Sequence, residues 1–125
     1  MGSDTRVSGF RGLKVWQMAM EMAADVYRLT ARFPKHELYG LSSQLRRAAV
    51  SVPSNSAEGN KRESTKEYLH HVSIAAGSLA ELETQLLLAL KFEYSDPTAT
   101  DPLLLRAAEL GRMLVGLPRS LRAKL

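Results

Sequence analysis

An all-α chain is the expectation from this 125-residue sequence. Apolar residues recur at alternating steps of three and four along four separate segments, and no segment alternates with the period of two that a half-buried strand would need. The breaks between segments carry helix-end chemistry: Pro34, the pair Gly59-Asn60, the box Ser64-Thr65-Lys66-Glu67 and the dipeptide Asp101-Pro102. Short connections make successive helices antiparallel, so the expected architecture is an up-down-up-down antiparallel four-helix bundle occupying residues 10–125 as a single domain after a flexible leader at 1–9.

The first helix presents Trp16, Ala19, Ala23, Val26, Thr30 and Phe33 on one side, and Pro34 stops it, with Lys35 and His36 in the turn. The second carries Leu38, Leu41, Leu45, Ala48 and Val52 as a seam. Pro53 has no N–H for the carbonyl of Ala49, which predicts a kink or break, and Asn55 falls on the continuation of the seam. Gly59-Asn60 then reads as the helix-ending turn, and Ser64 with Glu67 as a capping box that opens the third helix. That helix aligns Tyr68, Val72, Ala75, Leu79, Leu82, Leu86 and Ala89. A turn-rich loop follows from Tyr94 to Thr100, and Asp101-Pro102 reads as N-cap and first-turn proline of the fourth helix. The fourth stripe is Leu103, Ala107, Leu110, Leu114, Leu117 and Leu121, with Pro118 expected to bend its end.

A 45% hydrophobic composition supplies one core without staples, and the sequence contains no cysteine, which removes disulfides, thiolate metal sites and cysteine nucleophiles together. The longest unbroken apolar run, Leu86 to Leu90, is too short to cross a bilayer, and the first residues lack a signal peptide's apolar centre. A cytoplasmic protein is the expectation. Lys and Arg number 17 against 13 Asp and Glu, a net +4 that permits contact with a polyanion without requiring it.

The third helix carries more apolar surface than one seam uses. Leu69, Ala76 and Leu90 lie beside the seam and Ile74, Leu87 and Leu88 lie on other faces, among the small residues Ser73, Gly77, Ala80 and Thr84. Ser73, Ile74, Gly77, Ala80, Leu87 and Leu88 are therefore the candidate subunit interface, and a homo-oligomer is the expected assembly. Gly77 costs about 1 kcal/mol relative to alanine inside a helix, which close packing at that point would explain. Glu83 lies on the stripe beside the seam and calls for a cation, with Arg46 or Arg47 as the expected partner.

Catalytic and metal signals are weak. Glu67-x-x-His70, with Glu63 and His71 on the same turn, has the spacing of a di-iron bundle, but no second copy exists, His36 is the only other histidine, and Glu67 is occupied as the capping acid. There is no P-loop, dinucleotide fingerprint or nucleophile elbow. The expectation is a non-enzyme with no cofactor and no metal. Basic residues are better placed for binding: Arg112, Arg119 and Arg122 fall along one side of the last helix with Lys124 following, and Lys61, Arg62 and Lys66 surround the turn after the second helix. Arg46, Arg47, Lys61, Arg62, Arg112, Arg119 and Arg122 are the candidate nucleic-acid contacts. The alternative is a solvated face that keeps the protein soluble.

Several motifs occur together in order: Leu13-x-Val15-Trp16; Thr30-x-x-Phe33-Pro34-x-x-Glu37-x-Tyr39-Gly40-Leu41; Gln44-Leu45-Arg46-Arg47-Ala48-Ala49-x-Ser51-x-Pro53-x-Asn55-x-Ala57-Glu58-Gly59; and Gly77-Ser78-Leu79-x-Glu81-Leu82-Glu83-Thr84. From about Phe10 onward the chain resembles the bacterial four-helix-bundle proteins first noticed as products of intervening sequences in large-subunit ribosomal RNA genes, a family that includes the accessory variability protein of diversity-generating retroelements. Ser56 departs from the pattern, standing where an aliphatic residue is expected.

The resemblance implies a homopentameric ring. For the retroelement branch it also implies a basic surface that binds nucleic acid and a reverse transcriptase partner. The expected function is a non-enzymatic homopentamer that presents repeated basic patches to the backbone of RNA or DNA. The alternative is an interaction scaffold or accessory subunit that binds another polypeptide, such as a reverse transcriptase. No membrane partner is expected.

Overall fold

The computed structural model describes residues 9–122, with side chains described for 9–116. Among these residues there are four long helices and no strand: α1 (Lys14–Thr30), α2 (Leu41–Lys61), α3 (Thr65–Lys91) and α4 (Pro97–Arg122), with short 3-10 turns at Gly9–Gly12 and Lys35–Glu37. Gly9, the last residue of the expected leader, opens the first of these turns.

Each helix packs on its chain neighbours, and α1 also packs on α4, closing a cycle of four in which α2 and α4 stand diagonally. One core runs through all four, built from Met22 and Val26 of α1, Leu45 and Val52 of α2, Leu79, Leu82 and Leu86 of α3, and Leu110 and Leu114 of α4. Full burial of each such side chain contributes about 1.5–3 kcal/mol.

The helix starts show where local chemistry decides. α3 begins where expected, with half of the capping box formed: the Ser64 hydroxyl accepts the Glu67 N–H at 3.0 Å, and no return bond from the Ser64 N–H to the Glu67 carboxylate is present among the described residues. α4 begins one turn earlier than expected. Asp96-Pro97 takes the role assigned to Asp101-Pro102, with Asp96 Oδ1 accepting the Ala99 N–H at 3.0 Å and the Asp96 carbonyl accepting the Thr100 N–H at 3.0 Å. Both dipeptides have the same capping chemistry, and the earlier one also lets Thr100 bury completely with its hydroxyl on Ser95 Oγ.

At the end of α3, Glu93 adopts φ +62° while the Glu93 N–H reaches the Leu90 carbonyl and the Tyr94 N–H reaches the Ala89 carbonyl. That is a Schellman motif built on a glutamate instead of the glycine that the left-handed position favours.

Three expectations for α2 change. Leu38 does not join the seam; it lies in the turn before the helix and is about half exposed, and the buried stripe starts at Leu41. Pro53 does not break the helix, which runs unbroken through it with the ring buried in the core. Gly59 is likewise inside α2 and not in the turn: it is buried, and a Cβ there would lie 3.0 Å from His71 Cβ, so its role is to let α3 approach. Ser56 is buried, its hydroxyl donating to the Val52 carbonyl at 2.9 Å, which satisfies the polar group that an aliphatic residue would not have brought.

Candidate nucleic-acid interface

Arg46 and Arg47 occupy the outer flank of α2, and the chain holds them differently. Arg46 is half-buried against α1. Its Nε donates to Thr30 Oγ1 at 2.8 Å, and its guanidinium lies 4.6 Å from the centre of the Tyr27 ring. Thr30 is fixed in turn, its hydroxyl donating to the Val26 carbonyl at 2.8 Å. Arg47 is exposed and has no ion pair or hydrogen bond among the described residues. The expected pairing of Glu83 with either arginine is absent: Glu83 is half-buried and forms no ion pair among the described residues, because Arg46 is turned to the other side of α2 by Thr30 and Tyr27.

The second pair of cations sits at the other end of α2. Lys61 lies 6.0 Å from the Phe10 ring, and Arg62 is 3.7 Å from Glu58 Oε2, so neither is as free as Arg47. Arg112 is exposed on α4, the helix diagonal to α2, and one chain does not join it to the α2 cations. The side chains of Arg119 and Arg122 lie outside the described residues.

Between α2 and α3 runs a chain of polar contacts. Ser78 Oγ donates to Ser51 Oγ at 2.7 Å, Asn55 Nδ2 donates to the Ser51 carbonyl at 2.9 Å, and Asn55 Oδ1 meets His71 Nδ1 at 3.0 Å. With the Asn55 amide oriented by Ser51, His71 carries its proton on Nδ1, leaving Nε2 to accept from Arg62 Nε at 3.4 Å. The seam position of Asn55 was visible in the sequence. His71 and Ser78 were not, since nothing local marks which polar residues of α3 face α2.

All six interface candidates on α3, Ser73, Ile74, Gly77, Ala80, Leu87 and Leu88, are exposed, Leu87 at 54%. A Cβ built on Gly77 would meet nothing, so no close contact inside the chain accounts for this glycine. α3 is long and apolar enough by length and composition to cross a membrane, and its apolar residues are shared between the core and this outward face.

These features define a class: a small all-helical, four-helix protein with a cationic helix edge, a polar seam beside it and an outward apolar face. Residues 11–116 match the family model of the 23S rRNA-intervening sequence protein, and the chain belongs to that family. The fold is similar to that of a protein with unknown function from the S23 ribosomal protein family of Bacteroides thetaiotaomicron, with a TM-score of 0.76 at 20% identity, covering 83% of this chain and 97% of the other. No curated protein matches the chain.

Proposed function

We propose that this chain is a non-enzymatic, cytoplasmic nucleic-acid-binding protein that works as a homopentamer, contacting the sugar-phosphate backbone of RNA or DNA through repeated basic patches. The observation that carries the reading is the contrast at Arg46 and Arg47: one guanidinium is held in place by Thr30 and Tyr27, and its neighbour is exposed and forms no ion pair or hydrogen bond among the described residues. A fixed cation beside a free one suits phosphate, where attraction comes from counterion release and a prepositioned donor loses little entropy on binding. Self-association is supported by the exposed Ile74, Leu87 and Leu88 on α3, which a neighbouring copy would cover, and five copies is the number the family resemblance implies. An assembly would also repeat Arg47, Lys61 and Arg112 once in every copy.

Filter binding with a structured RNA at rising salt tests the reading, alongside native mass measurement. The expected result is binding at low salt that weakens steeply as salt rises. Arg47→Ala should lower the magnitude of the log–log slope by about 1, the share of one neutralised phosphate. Absence of binding at low salt, or binding indifferent to salt, overturns it.

A second reading, an accessory subunit that binds another polypeptide such as a reverse transcriptase, draws on Leu105 of α4, which is 72% exposed. A partner protein retained in a pull-down after nuclease digestion would favour it.

A further inference from the structure

We infer that the groove between α1 and α2 is a base-stacking site for unpaired nucleotides, with Tyr39 and the Tyr27–Arg46 pair as its stacking surfaces; this deepens the nucleic-acid reading above and rests on it. The groove encloses about 550 Å³ and is lined by Tyr27, Leu38, Tyr39, Arg46, Arg47 and Val50, together with two serines. Its composition is unusual for a protein surface. Tyr39 is 93% exposed, so its ring contributes almost nothing to the chain's own core, and Tyr27, Leu38 and Val50 are each exposed by more than two fifths. No carboxylate lines the groove, and two guanidinium groups do.

Apolar and aromatic surface combined with uncompensated positive charge fits a ligand that is flat and apolar on one side and anionic on the other. A single strand of nucleic acid has both properties: each unpaired base offers a π-face, and each linkage a phosphate. A duplex hides its base faces and would leave Tyr39, Leu38 and Val50 unused. The site is prepared in advance. The Arg46 guanidinium already lies over Tyr27, 4.6 Å from the ring centre, held there by its Nε bond to Thr30, so a base entering the groove meets a fixed platform while the exposed Arg47 remains available to phosphate.

The alternative occupant, a second copy of the chain, is better matched to the outward face of α3. There Ile74, Gly77, Leu87 and Leu88 are exposed on a helix whose outer positions carry no arginine.

The test uses the full chain with a short single-stranded RNA carrying 2-aminopurine, and a blunt duplex of the same length, at equal low salt. The expected results are quenching of 2-aminopurine on binding, a loss of roughly 5- to 100-fold in single-strand affinity for Tyr39→Ala, near wild-type affinity for Tyr39→Phe, and duplex affinity unchanged within about twofold. Circular dichroism of the variants checks that the fold is retained. The inference is overturned if Tyr39→Ala leaves single-strand affinity unchanged, if it weakens both probes alike, or if it lowers the native mass, which would assign the groove to a subunit contact. If the wild type binds neither probe, the nucleic-acid reading itself fails and this site with it; duplex binding without a stacking signal sinks this site alone.

Discussion

The two faces of α3 are made from the same amino acids and meet opposite surroundings. Leu86 is fully buried and Leu87, the next residue, is 54% exposed; a step of about 100° around the helix separates core from solvent. Leu79 and Leu82 lie inward, whereas Ile74 and Leu88 lie outward, interspersed with Ser73, Gly77 and Ala80. Apolar content therefore does not by itself say what a residue does in this protein. On the inward face leucines define the fold, and on the outward face they are surface that the chain alone leaves uncovered. The groove between α1 and α2 is a third kind of surface, apolar like the outward face of α3 but bordered by arginines. The difference in charge separates a face suited to another copy from a face suited to a polyanion.

Substituting matched leucines is the strongest way to break this comparison. Leu82→Ala is expected to cost about 2–5 kcal/mol in denaturant unfolding, because a fully buried side chain leaves a cavity that its neighbours fill only in part. Leu87→Ala is expected to cost no more than about 0.5 kcal/mol at low protein concentration. Equal losses would mean that the outward face is covered in solution, and stability that rises with protein concentration would identify the cover as another copy.

Gly77 sharpens the same contrast on a smaller scale. A Cβ at this position meets nothing, so Gly77→Ala is expected to stabilise the isolated chain by about 0.5–1 kcal/mol through the entropy of the unfolded state and the helix preference of alanine. A Gly77→Ala variant that is less stable, or that lowers the native mass, would place another backbone against this turn of α3.

Much of the fold was legible because its signals are local. The four amphipathic stripes, the Ser64 cap and the surplus of apolar residues on α3 are all set by spacing within one helix. The errors came where two equivalent local signals competed or where tertiary packing overrode one. Asp96-Pro97 and Asp101-Pro102 carry the same capping chemistry, and only the burial of Thr100 separates them. Gly59 resembles a helix stop but is a contact point for His71, and Pro53 loses one backbone bond in a helix that the core holds on both sides. The candidate site was harder to read. The arginines were visible, but their surroundings depend on which residues of α1 reach α2. Nothing in the sequence near Arg46 says that Thr30 orients it or that Tyr27 lies beneath it.

The smallest expected effect concerns the opposite side of α1, where the chain neutralises its cations instead of presenting them. Asp25 sits between Arg28, at 2.6 Å, and Arg106 of α4, also at 2.6 Å. The hydrogen bond from Arg28, and then that from Arg106, holds the Asp25 carboxyl below its ordinary range against the opposing effect of partial burial. A carboxyl whose folded pKa is depressed stabilises the fold above its unfolded pKa, and that contribution disappears as the pH falls through the folded value. The clasp is partly exposed, so its worth is no more than about 1 kcal/mol.

Asp25→Asn should therefore lower the melting temperature by a few degrees near neutral pH, and the difference from wild type should fade as acid protonates the Asp25 carboxyl in the folded state. A difference that persists unchanged in acid would show that Asp25 acts through shape rather than charge. If salt abolishes it at neutral pH, the electrostatic account stands. In that case Arg28 and Arg106 are compensated within the chain, whereas Arg47 has no ion pair among the described residues.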